Sequence, residues 1–270
     1  MGVMAQWMPH RKGFVLGMHM AGGTIAEIAA PILVGFSLMF LSWSQVLQLN
    51  TIPTIILGLI FIRLAPMVMP PPSELPMGTN IRGLVRSITK PQTLAILFTI
   101  TLHNMAMVAF MSMSPLYFQE DKGFSSGLTG LAFSLFLIGG AVTTPFVGHI
   151  SDIIGRRTIA IGGLVIGGVC MALITFVSGE LTTLLLLIIT GILILSVRSI
   201  VIAMALERVR NRESTVLGLI SSVGEGVAAL GAVLAGILAE IDLGYSLILA
   251  AVLSVIAGLV LYPLNGKNEE

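Results

Sequence analysis

Charge is what this sequence has least of. Only 10% of its 270 residues are Asp, Glu, Lys or Arg, against 56% hydrophobic, and the mean hydropathy is +1.01. A soluble domain keeps roughly a quarter of its residues charged to hold a wet surface, so a water-soluble globule is excluded. Cysteine is almost absent. The single Cys170 excludes an intramolecular disulfide and a cysteine-based metal site, and in its apolar segment it reads as a small buried hydrophobe. Aromatic residues make up 6%, with 2 Trp, which argues against a sugar site built on stacked rings. No Gly-x4-Gly-Lys-Ser/Thr loop, no His-Glu-x-x-His pair, no acidic cluster and no Gly-x-Ser-x-Gly turn occurs. Direct ATP drive, metal chemistry and serine hydrolysis therefore lack support, and no nucleophile–base set is readable for an intramembrane enzyme. The sequence leads us to expect no cofactor, no metal and no nucleic-acid partner. No signal peptide is read at the N-terminus.

What is present is apolar length. A spanning helix needs about 20 mostly apolar residues, and eight stretches qualify: 14–39, 46–66, 92–116, 128–149, 158–178, 182–204, 214–239 and 244–264. Their runs are continuously apolar instead of alternating, so the fold class is all-α, a polytopic bundle of eight transmembrane helices. The cations predict its orientation. Of 14 Lys and Arg, all but Lys122 and Arg198 fall in alternate loops, at their edges or at the termini: Arg11, Lys12, Arg63, Arg82, Arg86, Lys90, Arg156, Arg157, Arg208, Arg210, Arg212 and Lys267. The positive-inside rule makes that side cytoplasmic, with both termini inside and the plasma membrane as the setting.

The loop at 67–91 opens with "MVMPPPSELP", whose prolines stop a helix. "IRGLVRSITK" then spaces Arg82, Arg86 and Lys90 by four, which predicts a short amphipathic helix on the inner membrane surface. A repeat is also visible. "VLGMHMAGG" from Val15 and "VLGLISSVG" from Val216 align, and the match extends to Gly35 and Gly236. A cationic cluster precedes each copy, and Trp43 or Tyr245 follows. Parallel repeats of this kind are a transporter signature.

Between two apolar stretches stands "GHISDIIGRR", residues 148–157. Gly148 is expected to allow close helix approach and Gly155 a tight reversal. Asp152 can cap the next helix or pair with an arginine, and Arg156 and Arg157 hold the turn inside. Through Gly148, Asp152, Gly155, Arg156 and Arg157 the segment resembles the cytoplasmic loop motif of the major facilitator superfamily, with Ile150 in place of its leucine. In that family the motif joins the second and third helices of each half and is linked to opening and closing. Gly17, Pro31 and Gly35 in the first span resemble the family's glycine- and proline-rich fifth helix, although Ala26, Ala30 and Val34 replace three of its glycines. They are expected to serve helix packing. The resemblance implies that the eight spans correspond to family helices five to twelve. Residues 1–66 would end the N-terminal half, 67–91 would link the halves, and 92–270 would form a six-helix C-terminal half. It also implies that the first four helices are missing, or are supplied by a complementing chain.

Ionisable groups inside spans cost roughly 2.5–3.5 kcal/mol each at mid-helix and are functional candidates by default. Five occur: His19, Glu27, His103, Arg198 and Glu225. Glu27 and Glu225, three positions apart in the repeat alignment, are candidates for proton coupling or for gating. Arg198 can hold an anionic substrate, pair with Glu225, or snorkel inward. His103, with Asn104 beside it, either lines the cavity or bonds across helices. His19 is expected to pack, and His10 and His149 to lie in loops. The expected activity is secondary transport of a small solute, an organic anion or metabolite or a drug, with protons and by alternating access. The alternative is a non-transporting membrane protein or partner subunit derived from a transporter.

Overall fold

A computed structural model describes residues 12–68, 90–207 and 224–263, and the side chains among them outside 12–23 and 65–68. These residues form eight helices and no strand: α1 (Lys12–Ser37), α2 (Trp43–Val68), α3 (Pro91–Glu120), α4 (Ser126–Ile154), α5 (Arg156–Phe176), α6 (Glu180–Glu207), α7 (Glu225–Ala239) and α8 (Leu243–Val260). One helix sits on each of the eight apolar runs. Six of them are long and apolar enough to cross a membrane, and the described parts of α1 and α7 add two shorter apolar helices. A backbone in lipid has no water to bond to, so each segment satisfies its own polar groups as a helix.

The helices overrun the apolar stretches. α3 has 30 residues, about 45 Å of helix. α4 continues through His149 to Ile154, which corrects the expectation that this histidine lies in a loop. Nothing in "HISDII" breaks a helix, and the turn is confined to Gly155. The amphipathic segment expected at 81–90 falls outside the described residues except for Lys90, as do residues 214–223 at the start of the seventh span and the opening of the second repeat copy. Gly17 and His19 lie on α1 where only the helical backbone is described.

The chain divides into two compact bodies. The first comprises Met1–Thr79 with Ser125–Ser134, and so contains α1, α2 and the opening turns of α4. Its tightest contact is backbone on backbone. A Cβ on Gly130 would lie 2.2 Å from the Pro31 carbonyl oxygen, and one on Gly35 would lie 2.5 Å from that of Ser126. Small residues let helices approach this closely in a membrane, where packing replaces the hydrophobic drive. Ser134 Oγ donates to the Ile28 carbonyl at 2.7 Å. By contrast α2 is exposed almost all round, with only 6% of its most apolar window buried. Its polar side chains bond back to their own helix: Asn50 Nδ2 to the Val46 carbonyl at 2.8 Å and Thr51 Oγ1 to that of Leu47 at 2.7 Å. Such i−4 bonds let polar residues sit on an apolar helix.

The second body, Asn80–Phe124 with Leu135–Glu270, holds α3, the rest of α4, and α5 to α8. α3 and α8 are its spine: α8 packs on α3, α5 and α7, and α3 also meets α6 and α7. Ile96, Ile100, Leu164, Val197, Val201 and Leu253 form the buried centre. Glycine sets the spacings. A Cβ on Gly191 of α6 would come within 2.0 Å of the Phe136 carbonyl oxygen of α4, and one on Gly231 of α7 within 2.3 Å of that of Met105 on α3. Buried hydroxyls add bonds between helices, Ser254 Oγ to the Leu164 carbonyl at 2.8 Å and Thr99 Oγ1 to that of Ala257 at 3.2 Å.

Candidate functional site

The second body brings together the polar residues of three spans. Gly231 draws α7 onto α3, and six residues earlier on α7 stands Glu225. Its Oε1 accepts a hydrogen bond from Arg198 NH2 of α6 at 2.7 Å, which is also an ion pair, and one from Asn104 Nδ2 of α3 at 3.5 Å. Arg198, for which the sequence left three roles open, is paired with Glu225 in this structure. The pair is not sealed in: its side chains are 52% and 45% exposed. Arg198 makes no other hydrogen bond among the described residues.

His103, adjacent to Asn104, is in the opposite condition. It is 2% exposed, and neither Nδ1 nor Nε2 has a hydrogen-bond partner among the described residues. Buried polar atoms are nearly always paired, with protein or with ordered water, and a lone exception calls for an explanation. Glu27, the counterpart of Glu225 in the other repeat copy, is exposed on α1 in the first body and has no hydrogen bond or ion pair among the described residues. The structure thus joins Asn104, Arg198 and Glu225, buries His103 next to Asn104 on α3, and gives Glu27 no partner among the described residues.

The hairpin motif builds a second cluster at one end of the same body. Gly155 alone separates α4 from α5, at φ +110°. L side chains rarely adopt that conformation, so glycine is required at the turn. Asp152 does not cap α5. Its Oδ1 pairs with Arg156 NH2 at 2.9 Å and also accepts from Nε at 3.0 Å. Arg156 NH1 bonds Glu207 at the end of α6 as well. Arg157 reaches the end of α8, where Nε donates to the Leu261 carbonyl at 3.0 Å and NH2 to that of Tyr262. These are orphan carbonyls of a helix C-terminus, where a cation is favoured. Two arginines therefore bind four helix ends. Gly148 corrects an expectation: a Cβ there meets nothing within 4 Å. Among the described residues the closest approaches to a neighbouring backbone fall at Gly35, Gly130, Gly191 and Gly231 instead.

Sequence reasoning missed two contributors. Glu207 stood in plain view as the acidic residue closing a span beside a cationic loop, but nothing in the sequence says that it faces Arg156. The other is a latch at the opposite end. Lys122, between α3 and α4, donates to the Val177 carbonyl after α5 and lies 5.4 Å from the centre of the Tyr117 ring. Tyr117 in turn donates to the Thr175 carbonyl at 3.4 Å. Burial, partly offset by the Asp121 carboxylate, holds the Lys122 ammonium below the ordinary lysine range. Elsewhere, the groove of about 220 Å³ lined by Gly168, Ala172, Ala251 and Val255 offers almost no polar surface to orient a solute. No group of three or more His, Cys, Asp or Glu able to hold a metal occurs among the described residues.

A family model described as Major Facilitator Superfamily matches the chain over residues 1–132 and 96–270, which together span its whole length. No curated protein matches it.

Proposed function

The chain belongs to the major facilitator superfamily, and we propose from that premise that it moves a small organic solute across the membrane together with protons. Membership makes it a membrane transporter; the solute class and the coupling are our reading. The observation that carries this reading is the convergence of Asn104, Arg198 and Glu225, with buried His103 next to Asn104 on α3. Isolated charges inside spans are expensive and persist where they bind or relay something. A guanidinium, a carboxylate, an amide and an imidazole supply both signs of charge and both kinds of hydrogen-bonding group. That suffices to fix a polar solute and to trade a proton against it.

In this reading residues 1–66 close the N-terminal half, 67–91 link the halves, and 92–270 form the C-terminal half. The 148–157 turn and both termini face the cytoplasm of a plasma-membrane protein. The Asp152–Arg156–Glu207 chain and the Arg157 contacts hold the helix ends of the C-terminal half together in one state and are redistributed in the other, so that this end opens and closes about the central site.

The test is solute uptake into membrane vesicles from cells expressing the whole gene, with and without an imposed pH gradient. Uptake that follows the gradient, and loses it in Glu225→Gln, supports the reading. Uptake with the same gradient dependence in Glu225→Gln, Arg198→Gln and His103→Gln removes the site. The non-transporting alternative predicts no uptake under any gradient.

A further inference from the structure

We infer that the solute is an organic anion received by Arg198, and that Glu225 is the ligand that the guanidinium keeps while the site is empty. This rests on the reading above, that the α3–α6–α7 cluster is where the solute binds.

The first argument is the balance of unused hydrogen-bonding groups. Arg198 has five N–H donors in a planar fork, and one NH2 group makes its single bond, to Glu225 Oε1. Asn104 sends one N–H of its amide to the same oxygen. Four N–H groups of Arg198 and one of Asn104 remain, against the lone pairs of two oxygens, Glu225 Oε2 and Asn104 Oδ1, with two each. The imidazole of His103 has no partner among the described residues on either nitrogen. Donors outnumber lone pairs by only one, but four of them belong to one planar fork, whose complement is a group with two oxygens side by side, a carboxylate above all.

The second argument is the geometry of the pair. The guanidinium fork suits two oxygens of one oxyanion side by side, which is its strongest contact. Glu225 offers it a single oxygen. The contact is half-made and half-exposed, and a pair of that kind contributes little. A solute carboxylate that engages the fork with both oxygens therefore displaces Glu225 at small cost. A cationic solute lacks this opening. It would have to take Glu225 from two donors at once, and it would leave the guanidinium without a counter-ion.

The third argument is charge. Arg198 and Glu225 together are neutral, and an added anion leaves one negative charge uncompensated. The titratable groups near α7 on the helices packed against it are few. α3 contributes His103, with Tyr117 and Glu120 more than a dozen residues further on, and the described stretch of α8 contributes only Tyr245. With Arg198 already engaged, the loaded site needs one positive charge from outside. A proton taken up with the anion is the smallest carrier of it, so anion and proton cross in the same direction.

The test is thermal stabilisation of the detergent-solubilised protein by benzoate, lactate and succinate, and by the cations tetraphenylphosphonium and ethidium. It is run on the wild type, Glu225→Gln, Arg198→Gln and Arg198→Lys. The inference predicts that at least one carboxylate raises the melting temperature of the wild type. Glu225→Gln should respond at about fivefold lower concentration because the internal competitor is gone. Arg198→Gln should not respond, and Arg198→Lys, which keeps the charge without the fork, should respond weakly. No carboxylate response in either the wild type or Glu225→Gln overturns the inference. A cation response lost in Glu225→Gln and kept in Arg198→Gln also overturns it, but leaves the site standing. A response of either class that ignores all three substitutions overturns the site reading beneath it.

Discussion

Glu27 and Glu225 stand three positions apart when the two repeat copies are aligned, yet they have different lives. Glu225 meets Arg198 and Asn104 in the second body, whereas Glu27 is exposed on α1 in the first, with no partner among the described residues. A carboxylate on an apolar helix is thus not by itself a site. What makes Glu225 one is its neighbours, and those come from helices whose contacts no local pattern announces. The same contrast holds for whole helices. α2 exposes nearly all of its most apolar window, while half of that of α3 is buried, although both read in the sequence as plain apolar runs.

The largest effect that sharpens this comparison is on uptake. Arg198→Gln and Glu225→Gln should each reduce gradient-driven uptake at least about tenfold, the equivalent of 1.4 kcal/mol, while Glu27→Gln stays within about twofold. A Glu27 variant as damaged as Glu225→Gln would erase the distinction. Next come the close approaches. Gly231→Ala puts a Cβ 2.3 Å from the Met105 carbonyl oxygen, and Gly130→Ala puts one 2.2 Å from that of Pro31. Each should cost about 1–3 kcal/mol of stability in denaturant or thermal unfolding. Only Gly231→Ala should also lower uptake, because it moves α7 off α3 and Glu225 with it.

Within the hairpin motif the two glycines should separate. Gly155→Ala, at φ +110°, is expected to cost about 1–3 kcal/mol, and Gly148→Ala, whose added carbon meets open space, less than about 0.5 kcal/mol. Equal effects would mean that the motif works through packing at Gly148 after all.

The smallest expected effect lies at the other end. Lys122 is held below the ordinary lysine range, so the unfolded chain binds that proton more tightly than the folded one. Stability therefore gains as pH climbs through the window beneath the unfolded lysine value, about 10.4. Lys122→Met should lose that gain relative to the wild type, a difference readable as a small change in the alkaline slope of melting temperature.

Much of the fold was legible because a bilayer imposes length. Each run of apolar residues became a helix, and the turn at Gly155 was marked by glycine and charge. The ends were less legible: α4 runs on through His149, since polarity marks where lipid stops and not where a helix does. Partners were least legible. α3 carries no amphipathic stripe to show which face is buried, so His103 could be named as a candidate but not seen to be buried without a partner among the described residues. Arg198 with Glu225 was one of several readings because their meeting depends on the rotation of α6 and α7, which the Gly231–Met105 contact and its like decide. Glu207 was overlooked for the same reason.

The most direct test of the central claim, that Arg198 and Glu225 act as one site, is a double-mutant cycle on gradient-driven uptake. Arg198→Gln, Glu225→Gln and the double variant are compared with the wild type in the same vesicles. If the two act as a unit, the double variant loses no more than Arg198→Gln alone, because removing the second partner of a broken pair takes nothing further away. Losses that simply multiply, as for two independent residues, would contradict the account.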